Sequence, residues 1–137
     1  MKKVLVAVDG SEYSERAFEY SFEDAKKLNH KLKILSVVQS TAYGGEILER
    51  ALKSRVKRAE EFTEKLKKKA EKEGVDVDSK IITGVNVSTE IAKFAEENDY
   101  DLIVMGSRGK TELGTIHLGS VSEGVVRRAH CSVLIVR

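Results

Sequence analysis

Three runs of this chain are apolar without a break: residues 4–8 (VLVAV), 102–105 (LIVM) and 133–136 (VLIV). A strand with one wet face alternates apolar and polar residues. An unbroken run requires apolar surroundings on both faces, as in a parallel sheet covered by helices on each side. Between these runs the spacing turns helical. After the first, Ser11 or Ser14 offers an N-cap, and Phe18, Phe22, Ala25 and Leu28 follow at helical intervals. Residues 32–38 read as a second strand and 39–45 as a loop. A long helix covers about 46–73, with a buried stripe of Leu48, Leu52, Ala59, Phe62, Leu66 and Ala70 and a stop at Gly74. A third strand is expected at 75–82, and only there does polar alternation mark an edge. Asn86 or Ser88 opens a helix carrying Ile91, Phe94 and Ala95, and a short helix falls near 120–129. Five strands alternating with helices predict a single α/β domain over 1–137, a Rossmann-like parallel sheet with helices on both faces.

Such sheets bind ligands beyond the carboxyl ends of the strands, where the strand order reverses. Here the reversal is expected between the first and fourth strands. Asp9 ends the first, and Met105 and Gly106 end the fourth. A glycine-rich segment with Gly106, Gly109, Gly114, Gly119 and Gly124 follows directly. Its Gly109-Lys110-Thr111 looks like the end of a Walker A loop. That loop needs four residues before its Gly-Lys pair, and only Ser107 and Arg108 stand between Gly106 and Gly109. Phosphate binding would need another geometry. Gly106 and Gly109 could take positive φ and turn amides inward as an anion nest. Gly119-Ser120 could open a helix whose first amides face the ligand. Ser120 and Ser122 would add hydroxyls, Arg108 and Lys110 charge, and residues 110–118 a flap. A plainer reading stands beside it: Ser120-Val121-Ser122-Glu123 fits a capping box, in which Ser120 caps its own helix and Glu123 bonds back. Asp9 likewise either caps the first helix together with Ser11 or faces a ribose hydroxyl or a metal.

Composition narrows the function classes. No stretch approaches the ~20 apolar residues that span a membrane. The N-terminal apolar run is too short for a signal peptide and ends in an acid, so a cytoplasmic protein is expected. With 24 basic and 22 acidic residues the net charge is +2, and nucleic acid is not an expected partner. The basic residues 65–69 are flanked by Glu64, Glu71 and Glu73 and read as a solvated helix face. Cys131 is the sole cysteine and reads as a small core residue. His30, His117 and His130 fall on helix ends and the flap, Ser11 and Ser14 lack a recognisable base, and no metal-ligand spacing occurs. Phosphoryl transfer would need a positioned nucleophile, and none is visible.

Taken in order, these residues resemble the universal stress protein family. Gly106-x-x-Gly109, nine residues, then Gly119-Ser120 is similar to the family's G-2x-G-9x-G(S/T) motif. Val8-Asp9-Gly10-Ser11, the strand-four segment Asp101 to Ser107, and the closing Ser120-Val121-Ser122 and Val133 to Val136 carry the likeness over the whole chain. The resemblance implies the ATP-binding branch, a strand order of 3-2-1-4-5 and an adenine nucleotide alpha hydrolase-like fold. Ala7 and Asp9 would line adenine and ribose, the backbone of Val37 would read the adenine edge, and Met105 and Gly106 would flank the ribose. Ser107, Arg108, Gly109, Gly119, Ser120, Val121 and Ser122 would surround the phosphates of ATP, ADP or AMP, with Mg²⁺ or Mn²⁺ held mostly by those phosphates. A homodimer through Val133, Leu134, Ile135 and Val136 is also implied, and this last strand lacks the charges or Pro that protect an edge. The expected function is a nucleotide-dependent sensor or switch in stress physiology. The alternatives are a slow ATPase or autophosphorylating protein, and a dimeric scaffold with no bound nucleotide.

Overall fold

The side chains of β1 (Lys3–Ala7) show why its run is unbroken. Successive residues of a strand point to opposite faces. Val4 and Val6 enter one core with Ile34, Phe18, Phe22, Leu66 and Ala70. Leu5 and Ala7 enter a second, with Leu35, Ile103, Ile91, Ala95 and Val125. The computed structural model describes residues 2–108 and 118–137. It holds a five-stranded sheet in the order β3-β2-β1-β4-β5, with every pairing parallel. The other strands are β2 (Lys31–Gln39), β3 (Asp78–Gly84), β4 (Leu102–Gly106) and β5 (Ser132–Val136). Helices α1 (Glu12–Leu28) and α2 (Glu46–Lys72) cover the first core, and α3 (Val87–Glu97) and α4 (Ser120–Arg128) cover the second. The α/β fold, the strand order and the two helical layers are as expected.

With no proline in the chain, three of the helices stop at residues that tolerate left-handed backbone, and α4 stops at Ala129 in extended backbone. Asn29 closes α1 at φ 56°, Gly74 follows α2 at φ 78°, and Asp99 follows α3 at φ 55°. At the other ends, Ser11 Oγ accepts from the Ser14 amide at 3.1 Å and Asn86 Oδ1 from the Thr89 amide at 3.0 Å. Each such cap contributes about 1 kcal/mol.

The third strand starts later than its apolar pattern suggests. The Val75 amide bonds Ala70 O at 3.1 Å, so the chain is still leaving α2 there. Val77 is 1% exposed and packs into the first core before pairing begins at Asp78 opposite Lys33. Tertiary burial, rather than strand alternation, placed the valines at 75 and 77. As expected, β3 is an edge strand. Lys33 Nζ sits 3.2 Å from Asp78 Oδ2, and this hydrogen bond holds the Asp78 carboxyl below its ordinary value.

Gly124 lets α3 and α4 approach. A Cβ on it would lie 2.4 Å from Ser88 Oγ and 2.7 Å from Ser88 Cβ. Alanine favours helix over glycine by about 1 kcal/mol, which opposes the overpacking penalty of about 1–3 kcal/mol. Gly124→Ala is therefore expected to destabilise the domain by about 1 kcal/mol in the native background. With Ser88→Gly in place the same substitution becomes neutral or stabilising. Urea denaturation of the four proteins of this cycle measures the coupling, and additivity would show that the helices are farther apart.

Candidate functional site

The chain leaves β1 toward α1 on one face of the sheet and leaves β4 toward α4 on the other. Diverging connections open a crevice at the strand tips. A cavity of about 430 Å³ occupies it. Its floor is the tips of three strands, with Ala7, Val37 and Met105 among the residues that line it. Val87 and Ile91 of α3 give an apolar wall. Gly119, Ser120, Val121 and Ser122 form the α4 side, and Arg55, Arg58, Ala59 and Phe62 of α2 form another. Asp9, Gly106 and Arg108 also line it. Of the residues singled out in the sequence, Ser107 is buried beneath the lining at 6% exposure. Gly109, with Lys110, Gly114 and His117, lies outside the described residues, as does the expected flap apart from Leu118.

The two ends of the glycine segment are latched together. The Ser107 amide donates to Val136 O at 2.9 Å, and the Gly119 amide donates to Ser107 O at 2.8 Å. The Ser122 hydroxyl, 2% exposed in its residue, lies 3.1 Å from Ser107 O and 3.0 Å from Gly119 O. Two expectations change as a result. The Ser107 amide and the Ser122 hydroxyl are committed to backbone carbonyls, so they hold the site's shape instead of presenting donors to a ligand. Gly106 takes no positive φ; among the described residues the positive-φ glycines are Gly10 and Gly74. What Gly106 supplies is space, because a Cβ there would stand 2.8 Å from the backbone carbonyl carbon of Tyr13.

The start of α4 also departs from the capping-box reading. Gly119 is the N-cap, at φ −65° and ψ 162°, and among the described residues no side chain caps the helix. Ser120 is the first helical residue, and the Glu123 carboxylate pairs with Arg127 Nη2 at 2.6 Å instead of bending back. The first-turn amides of Val121 and Ser122 therefore have no capping side chain among the described residues, at the positive end of the helix dipole and beside the cavity.

Asp9 serves the turn before α1 while lining the cavity. Its Oδ1 accepts from the Ser11 amide at 2.9 Å, and its own amide donates to Ser14 Oγ at 3.3 Å. Ser11, not Asp9, caps α1. Arg108 is steered by α1: Nη1 donates to Tyr13 Oη at 3.1 Å, and its guanidinium lies 5.6 Å from the ring centroid. Its buried Nε has no hydrogen-bond partner among the described residues. No group of three His, Cys, Asp or Glu residues comes together as a metal site among the described residues. Cys131 is partly buried beside the second core, and burial pushes its thiol pKa up.

Sequence reading missed Arg55 and Arg58. The half-buried Val56 carries the apolar stripe of α2 from Leu52 to Ala59. Arg55 and Arg58 flank that stripe at helical spacing, and a pair of cations beside an apolar stripe is the signal the sequence offers for them.

One wall of the cavity is apolar, the α4 side presents the first turn of that helix, and Arg55, Arg58 and Arg108 add cationic side chains. This suits a planar apolar group attached to an anionic tail. The universal stress protein family model matches residues 1–137. The chain belongs to that family. A universal stress protein of Methanocaldococcus jannaschii is 37% identical over 99% of this chain and 82% of its own length. The solved UspA of Lactobacillus plantarum superposes with a TM-score of 0.91 at 25% identity, covering 99% of this chain and 97% of that one. A universal stress protein solved in complex with cAMP gives a TM-score of 0.68 at 26% identity, covering 99% and 97%. Membership agrees with the sheet order and with the glycine segment at its tips. No helix among the described residues of this universal stress protein is long and apolar enough to cross a membrane.

Proposed function

We propose that this universal stress protein binds an adenine nucleotide in the strand-tip cavity and acts as a nucleotide-dependent switch. The observation that carries the reading is the junction of an apolar slot, lined by Val37, Val87 and Ile91, with the uncapped start of α4. The adenine enters the slot, with Ala7 beneath it and the Val37 backbone at its edge. The ribose lies by Asp9, Met105 and Gly106. The 5′-phosphates of ATP, ADP or AMP take the first-turn amides of α4 at Ser120, Val121 and Ser122, with Arg108 and Gly109 on the other side. Ser107 supports the cradle from below. A Mg²⁺ or Mn²⁺ ion accompanies the phosphates and takes its ligands mainly from them. The relative solved with cAMP supports adenine nucleotides as the ligand class.

Switching follows from the latch between residues 107 and 119. A phosphate bound beside the latch adds its own bonds to the start of α4 and alters the surface around it. The same reading includes a cytoplasmic homodimer, paired through the apolar residues Val133, Leu134, Ile135 and Val136 of the β5 edge.

Calorimetric titration tests the nucleotide. ATP is expected to bind saturably with a dissociation constant near the micromolar range, roughly −8 kcal/mol. Adenosine should bind measurably but more weakly. Flat titrations with ATP, ADP and AMP at millimolar concentration would remove the reading.

A further inference from the structure

Helix α2 changes character where it passes the cavity. Its inward face runs Ala70, Leu66, Thr63 and Ala59, exposed by 0%, 7%, 2% and 2%. Toward the N-terminus the half-buried Val56 and Leu52 continue that face, and the exposed Arg58 and Arg55 flank it and line the cavity beside Ala59 and Phe62. The spacing of 55, 58, 59 and 62 keeps these four side chains on one stripe. Two other basic residues of α2 have acidic partners, Arg50 at 3.0 Å from Glu46 and Lys69 with Glu19; the remaining lysines of the helix, unpaired among the described residues, do not line the cavity. Among the described residues, no carboxylate lies within ion-pairing distance of Arg55 or Arg58.

Two guanidinium groups one turn apart repel each other. An anion between them and the strand tips turns that repulsion into attraction, and the planar fork of arginine matches phosphate oxygens in pairs. We propose that Arg55 and Arg58 form a second phosphate-binding wall of the cavity, on the α2 side, separate from the α4 amides. The inference rests on the nucleotide reading above and extends it. The ligand is an adenine nucleotide whose phosphate reaches α2, either as the far end of a 5′-polyphosphate or as a phosphate on the ribose 2′- or 3′-oxygen.

The test compares the full chain with an Arg55→Gln, Arg58→Gln double variant by calorimetry. Glutamine has nearly the helix propensity of arginine, so far-ultraviolet circular dichroism should be unchanged. The probes are adenosine, ADP and adenosine 3′,5′-bisphosphate. The last two carry equal numbers of phosphates in different places. The double variant should weaken at least one phosphorylated probe by about tenfold or more and leave adenosine within about twofold. Greater loss for ADP places the 5′-tail on α2, and greater loss for the bisphosphate places the ribose phosphate there. If both phosphorylated probes stay within about threefold of the native protein, or adenosine loses as much as they do, the wall does not exist. Should the native protein bind none of the probes, the nucleotide reading fails first and this inference with it.

Discussion

Replacing Gly106 with valine is expected to cost about 3 kcal/mol or more of folding stability. The residue ends β4, and a Cβ there would lie 2.8 Å from the Tyr13 carbonyl carbon and 2.9 Å from its oxygen. Those are main-chain atoms in the first turn of α1. That turn is pinned by the Ser11 cap and by the Asp9 carboxylate on the Ser11 amide. It cannot yield as a side-chain tip does, so valine must push α1 away from β4 or tilt the strand end. At a slope typical of a domain this size, the urea midpoint should fall by about 1.5–2 M. Gly106→Ala should show roughly half the loss. Tyr13→Ala in the same chain should not restore it, because the carbonyl remains in place. A Gly106→Val midpoint equal to the native one would mean that α1 does not rest on β4 as described. The expected loss also changes the meaning of the glycine motif. Its first glycine is required by helix packing, and that packing brings Tyr13 to Arg108 at the cavity.

The parts of this protein that could be read from its sequence are those dictated by periodicity. An unbroken apolar run points to burial on both faces, and residues 4–8 and 103–105 meet it, whereas 133–136 is half-buried because β5 is an edge strand. The end of α2 is readable because few residues tolerate left-handed backbone and Gly74 does so. The strand order needed the family likeness, since periodicity says nothing about neighbours. Errors arose where a tertiary contact outweighed a local pattern. Val75 and Val77 looked like strand because the core reaches beyond the end of β3. Ser120 looked like a cap, but the bonds joining Ser107, Gly119 and Ser122 fix Gly119 in that position and draw Ser120 into the helix. Arg55 and Arg58 are exposed cations beside the apolar stripe, so hydrophobic periodicity does not single them out. The tips of strands in distant parts of the chain had to be brought together before those two could be recognised as lining a site.

Ser120→Asp should separate folding from binding. Ser120 is exposed and is the first residue of α4, where a carboxylate faces the positive end of the helix dipole. Folding should therefore be unchanged or improved by about 0.5 kcal/mol. A phosphate on the same amides meets the new charge at close range. At roughly 6 Å and an effective dielectric constant near 20, one pair of like charges costs about 2–3 kcal/mol before salt screening. ATP and ADP affinity should fall by about 30–100-fold, and less at high salt. Adenosine, which has no phosphate, should bind as it does to the native chain. Ser120→Asn, of nearly the same shape and uncharged, should bind ATP within about threefold of native, because it keeps the amide direction and adds no charge. Calorimetry with the three proteins reads these differences, and the urea midpoint confirms that the aspartate variant is folded. If Ser120→Asp binds ATP as tightly as the native chain, the phosphates do not lie on α4. Loss in the α2 arginine variant alone would then move the whole anionic tail to the opposite wall, and the latch between residues 107 and 119 would no longer be the element that senses the nucleotide.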